Sequence, residues 1–229
     1  MLAVHKPLSW TSFDVVSRVR ALLKRKLKQR LKVGHAGTLD PLADGLLILC
    51  TGRFTKRLDE YQAKEKEYTG TFTIGATTPC YDLEKPVDQY HPVDHITDEN
   101  IYETAKGFLG RTPQVPPQFS AIKVEGQRAY DLARAGEGAI LEPRLIEITE
   151  CEITRIERLP AENEKGATIE VDFRVVCSKG TYIRALARDF GKKLGSGAHL
   201  SKLRRTRIGE ITLEQALTLE QIKTIIEES

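Results

Sequence analysis

The stretch TIEVDFRVVCSKGTYIRALARDFGKKL, residues 168–194, holds two hydrophobic periods in succession. Ile169, Val171, Phe173, Val175 and Cys177 alternate with Glu170, Asp172 and Arg174, the period of two expected of a strand with one buried face. Ser178-Lys179-Gly180 breaks the alternation. Ile183, Leu186, Ala187, Phe190 and Leu194 then recur at helical spacing, with Thr181 in position to cap the helix and Gly195 to stop it. A strand, a tight turn and a helix thus follow one another, with Tyr182 and Arg184 in the first helical turn.

Working outward, Glu67 to Ile74 reads as a strand rich in Thr, Tyr, Phe and Ile. Thr11 or Ser12 can cap a first helix whose apolar stripe is Phe13, Val16, Val19 and Leu23, and Thr97 caps another through Ile101, Ala105 and Phe108. Residues 77–97 look loop-like. Pro113, Pro116 and Pro117 keep Arg111 to Gln118 extended or turning. Ala129 to Ala135 suits a short helix stopped by Gly136, and Thr218 with Gln221 forms a capping box for a last helix through Ile222, Ile225 and Ile226. Strands and helices mix without βαβ alternation, so the expected class is α+β with a mixed, largely antiparallel sheet.

The 229 residues suffice for one sizeable core, and 40% hydrophobic with 29% charged residues excludes a disordered chain. No apolar run reaches the length of a membrane span, and the N-terminus lacks the pattern of a signal peptide. Cys50, Cys80, Cys151 and Cys177 form no CxxC pair, so free thiols in a reducing cytoplasm are expected, with neither zinc nor disulfides. A monomer is the default, since no heptad pattern is visible.

Charge is unevenly spread. Between Asp14 and Asp40 stand Arg18, Arg20, Lys24, Arg25, Lys26, Lys28, Arg30 and Lys32 without an acid, first on the helix and then in a loop. A second basic stretch holds Lys192, Lys193, Lys202, Arg204, Arg205 and Arg207. Both suit a polyphosphate partner, or equally a solvated helix face and a basic loop.

Between and beside these stretches, Gly34-His-Ala-Gly-Thr-Leu-Asp-Pro-Leu-Ala-Asp-Gly45 reads as an irregular loop carrying one histidine and two carboxylates. Taken alone, Asp40 before Pro41 is better explained by a turn, and His35 by a structural imidazole bonded to backbone. The chain offers no P-loop, dinucleotide fingerprint or metal-ligand cluster.

The same segment, with Lys66-Glu67-Tyr68 and Cys177-Ser-Lys-Gly-Thr-Tyr-Ile-Arg184, resembles the TruB family of tRNA pseudouridine synthases. Lys6-Pro7 with Trp10-Thr11-Ser12, Pro116 to Lys123 with Gly126 and Tyr130 to Arg134, and Leu203 to Thr206 resemble further motifs of that family, in order from about residue 2 to about 215. The resemblance implies the pseudouridine synthase fold, with helices flanking a central sheet and a central RNA-binding cleft. It implies conversion of uridine 55 in the tRNA T-loop to pseudouridine after base flipping, without a cofactor. By the same resemblance Asp40 is the essential carboxylate, Arg184 the arginine paired with it and Tyr68 the ring stacked on the target base. Tyr182 and Leu203 line the pocket, His35 holds the T-loop, and Lys66 binds phosphate or the catalytic loop.

Chemically, an ionised carboxylate beside the ribose can attack C1′ or take the C2′ proton, and the sequence does not choose. Burial raises a carboxylate's pKa, which a bidentate guanidinium opposes. Asp44 departs from the family's usual Thr; pointing to solvent or capping a helix suits it, and no catalytic role is expected. The family's longer members carry a C-terminal PUA domain, and the residues after the last motif are too few for one. The expectation is therefore a single catalytic domain over residues 1–229, with 212–229 as a short helical tail. A tRNA-folding chaperone role on the same surface can hold alongside catalysis, and a synthase of another RNA and an acid hydrolase using Asp40 with Asp44 are further alternatives.

Overall fold

The computed structural model describes residues 1–120, 122–124, 126–162 and 166–228; Ala121, in the central motif, lies outside the described residues. The main elements are β1 (Leu2–Lys6), α1 (Ser12–Leu27), β2 (Val33–Ala36), β3 (Ala43–Thr51), α2 (Leu58–Ala63), β4 (Lys66–Ile74), α3 (Asp98–Lys106), β5 (Gly110–Gln114), α4 (Ala129–Arg134), β6 (Arg144–Leu159), β7 (Thr168–Cys177), α5 (Ile183–Lys193), β8 (Ala198–Ile208) and α6 (Leu219–Glu228). The chain is α+β with mainly antiparallel pairing, and it divides into two compact units, Met1–Thr69 with Leu203–Ser229 and Gly70–Lys202.

In the first unit the strand order is β1-β3-β8-β4, with β2 also paired to β3. β1 and β2 run antiparallel to β3, and β8 runs parallel to it, with Arg204 opposite Asp44. β3 is the apolar run Leu46 to Cys50, and both of its faces are covered, as a continuous hydrophobic strand demands. Leu47 and Leu49 pack with Val15, Val16 and Val19 of α1 and Ile222 of α6. Leu46, Ile48 and Cys50 pack with Tyr61 of α2 and Ile208.

The expected capping of α1 by Thr11 is found, completed reciprocally by Asp14. Its buried line, however, is Ser12, Val15, Val16, Val19 and Leu22, and Phe13 stands 62% exposed. Both lines satisfy helical spacing. Ser12 decides between them, because its hydroxyl accepts from the Leu39 N–H at 2.8 Å and donates to the Leu39 carbonyl at 3.1 Å, turning that edge of the helix inward.

In the second unit the order is β8-β4-β7-β6-β5, with β6 antiparallel to both neighbours. Ile169, Val171, Phe173 and Val175 are buried as the alternation requires. Phe72 of β4 stacks on Phe173 at 4.1 Å and meets Phe190 of α5 at 5.4 Å. Thr181 does not cap α5. Its hydroxyl donates to Ser178, and Tyr182 holds the cap position without a side-chain bond to the helix. The expected capping boxes at Thr97 and Thr218 are present.

Candidate active site

The glycine-rich segment is less irregular than its composition suggests. His35 lies in β2 opposite Leu49, and Ala43 to Gly45 open β3, leaving residues 37–42 as the loop. Gly45 serves close approach between the paired strands β3 and β8. A Cβ on Gly45, at φ 109, would stand 2.4 Å from the Arg205 carbonyl oxygen.

This loop presents Asp40, half-buried, and is fastened on each side of it. The Ser12 hydroxyl holds Leu39. The Pro41 carbonyl accepts from the Ser9 N–H at 2.8 Å and from Lys6 Nζ at 3.5 Å. Ala43 N–H closes a turn onto the Asp40 carbonyl at 3.1 Å. Arg205, 1% exposed, spans the ends of the segment, donating to the carbonyls of Leu46 at 2.8 Å and Gly37 at 3.1 Å. Two buried cations, Lys6 and Arg205, thus support a loop that carries a carboxylate. Burial pushes the Lys6 ammonium down to about 8, while the charges of Asp44 and Asp40 pull it up.

His35 is half-buried, and its pKa is lowered by burial and then by the Arg205 charge, against a backbone bond at Gly37. Its Nδ1 is buried without a hydrogen-bond partner among the described residues. Tyr68 and Lys66 alternate on one face of β4, both buried. Lys66 Nζ donates to the Gln62 and Lys64 carbonyls at the end of α2, each at 2.5 Å, so it is turned to that helix end and not outward to a phosphate. Leu203 is half-buried on β8, in register with Ala43.

Asp44 neither faces open solvent nor caps a helix. It sits in β3, and Arg204 grips it through Nε at 3.1 Å and Nη2 at 2.7 Å, with His5 Nε2 at 3.5 Å. Burial pushes its carboxyl up, and the bonds from Arg204 and His5 outweigh that and leave it low. The second basic stretch is largely occupied: Arg205 is the buried clamp, Arg204 holds Asp44, Arg207 reaches Glu65 at 2.8 Å, and Lys193 donates to the Gly107 carbonyl at 2.9 Å. In the first stretch Arg25 pairs with Glu227, while Arg18, Lys24, Lys28, Arg30 and Lys32 stay exposed.

In the second unit, Gln114 brackets the peptide of Tyr182, accepting from its N–H at 2.9 Å and donating to its carbonyl at 3.1 Å. This fixes the start of α5 and so places Arg184, 6% exposed, two residues on. A guanidinium at a helix N-terminus opposes the helix dipole and needs compensation. The carbonyls of Cys80 and Phe119 accept from it at 3.3 and 2.9 Å, and buried Asp82 lies at 3.5 Å. Asp82 ends a turn held by the Thr78 hydroxyl at 2.6 Å, in which Tyr81 has φ 62. Backbone strain of this kind gathers at functional sites.

Sequence reasoning passed over Lys6, Ser12, Asp82, Gln114 and the clamping role of Arg205. Among the described residues no group of His, Cys, Asp and Glu side chains is placed to hold a metal ion, and no helix is long and apolar enough to cross a membrane.

Residues 24–183 match the model of the TruB family pseudouridylate synthase N-terminal domain, and residues 184–229 that of the tRNA pseudouridylate synthase B C-terminal domain. The chain is 54% identical to tRNA pseudouridine synthase B of Parabacteroides distasonis, over 100% of this chain and 94% of that one. It is 45% identical to the protein of the same name from Thermobifida fusca, over 97% of this chain and 73% of that one. Among solved structures it is similar to chains in a Cbf5-Nop10-Gar1 complex (TM-score 0.69, 28% identity, 97% of this chain) and in an archaeal box H/ACA sRNP Nop10-Cbf5 complex (0.66, 26%, 99%). This chain spans 53% of the length of each of those two.

Proposed function

The chain belongs to the TruB family of pseudouridylate synthases, and on that premise we propose that it isomerises a uridine of tRNA to pseudouridine with Asp40 as the reacting carboxylate. The observation that carries the role of Asp40 is its loop, tied down at Gly37, Leu39 and Pro41 by Arg205, Ser12, Ser9 and Lys6. Four anchors within five residues hold one carboxylate in place before substrate arrives, which is what positioning catalysis requires.

The reaction breaks the N1–C1′ bond, turns the uracil and forms a C5–C1′ bond. The C5 proton leaves to solvent and N1 takes one up, so atoms balance with nothing oxidised and no co-reactant. Asp40 acts at the ribose, as nucleophile at C1′ or base at C2′. Extruding the base from folded RNA costs a few kcal/mol, and stacking on an aromatic ring returns about 1–3 kcal/mol. Tyr68 is the ring we assign to that role. By the family resemblance His35 is assigned to holding the T-loop where the base has left. By the same resemblance Leu203 and Tyr182 are assigned to substrate binding and Arg184 to catalysis. Unpaired loops are the usual targets of sequence-specific RNA readers, which suits the T-loop and uridine 55. We take residues 1–229 as one catalytic domain.

The test uses an unmodified tRNA transcript carrying tritium at C5 of its uridines. One equivalent of tritium released per tRNA, abolished when the T-loop uridine is replaced by cytidine, is the expected result. No release from wild-type protein overturns the reading.

A further inference from the structure

Phe13 stands 62% exposed in the first turn of α1. A lone exposed phenylalanine carries no meaning, since much of any protein surface is apolar. Its setting carries more. Helical spacing puts Phe13, Ser17, Arg20 and Lys24 on one outward line, and all but the half-buried Ser17 are exposed. The guanidinium carbon of Arg20 lies 5.9 Å from the centre of the Phe13 ring, and its Nη2 donates to the Val33 carbonyl at 3.1 Å. Val33 opens the strand that carries His35. Next to Phe13 but on the buried edge of the helix, Ser12 holds Leu39 beside Asp40. Arg20 on the line and Ser12 beside it are thus each bonded to the segment that runs from Val33 into the catalytic loop. Asp14, the nearest acid in the sequence, is taken up by the N–H and hydroxyl of Thr11 at 2.9 and 2.6 Å.

We propose that this line is a contact surface for the RNA, with an unpaired base stacked on Phe13 and a phosphate of the same strand at Arg20 and Lys24. This rests on RNA being the substrate. An aromatic face takes any base, and flanking cations take the backbone, the combination found where single strands are bound. A second copy of this chain is a poor occupant, because it would bring the same positive charge to Arg18, Arg20 and Lys24.

Phe13→Ala, Phe13→Leu and Phe13→Tyr, compared with wild type for tRNA affinity by filter binding and for pseudouridine formed at saturating RNA, test the surface. Phe13→Ala and Phe13→Leu raise Kd about 5- to 150-fold, and the loss falls on Kd more than on the saturated rate; Phe13→Tyr stays within about twofold. Arg20→Gln lowers the slope of log Kd against log salt by about one. Thermal melts check that the exposed side chain is not needed for folding. A Phe13→Ala affinity equal to wild type overturns the proposal, and so does Phe13→Leu binding as tightly as Phe13→Tyr, which would leave Phe13 an apolar filler. If wild type binds tRNA but forms no pseudouridine, the isomerase reading fails, while the order of Kd values still decides the surface.

Discussion

Lys6 and Arg205 are charges placed where charges are expensive, fully buried beneath a six-residue loop. Their carbonyl partners recover part of that cost, and removing either cation takes a hydrogen bond away from the loop that carries Asp40. Lys6 also gives the fold a measurable pH dependence. Its folded pKa of about 8 lies below the ordinary 10.5, so between those values the unfolded chain holds the extra proton. Stability from this group therefore rises with pH across that window, and below about 8 the cost of the buried charge is present in full. In urea melts of wild type and Lys6→Met, the wild type gains about 2 kcal/mol relative to the variant between pH 7.5 and 9.5. A difference that does not change with pH would show that Lys6 is not held as a buried cation. Both residues looked like ordinary members of a motif or a basic run. Nothing local distinguishes a buried arginine from an exposed one, because the distinction lies in carbonyls supplied from elsewhere in the chain.

At the scale of elements, the strand–turn–helix over 168–194 was legible because its information is local: alternation on β7, and a stripe on α5 that fits the Phe72–Phe173 stack. The start of α5 was not, because its organiser, Gln114, stands 68 residues upstream. The same holds for Arg184, whose buried acid is Asp82. For α1, two overlapping stripes both satisfied helical spacing, and the tie from Ser12 to Leu39, 27 residues away, selected one and left Phe13 outside. Glycines in 34–45 were read as loop, whereas close strand approach at Gly45 explains one of them. The Arg184–Asp82 pair supplies the prediction at this scale. Asp82→Asn removes the buried carboxylate 3.5 Å from the Arg184 guanidinium, and breaking a buried ion pair costs up to about 3–5 kcal/mol. It should lower the chemical denaturation midpoint and cut pseudouridine formation more than tenfold; unchanged stability and rate would make the pair incidental.

Across the whole chain, the basic stretches part company. The second is spent on holding strands and turns, as in Arg204 on Asp44 and Arg207 on Glu65, whereas the first leaves Arg18, Lys24, Lys28, Arg30 and Lys32 exposed near the segment that leads to Asp40. We propose that the first stretch is the electrostatic footprint for RNA and that Asp40 is the reacting group, so binding and reaction separate by substitution. The most direct measurement compares wild type with Asp40→Asn, which keeps shape and removes charge, on an unmodified tRNA transcript. Pseudouridine is mapped by carbodiimide-induced reverse-transcription stops and affinity is read in parallel. The account predicts modification of the T-loop uridine by wild type and none by Asp40→Asn, with affinities within about threefold of each other. A variant that still forms pseudouridine at a rate comparable with wild type would contradict the central role of Asp40.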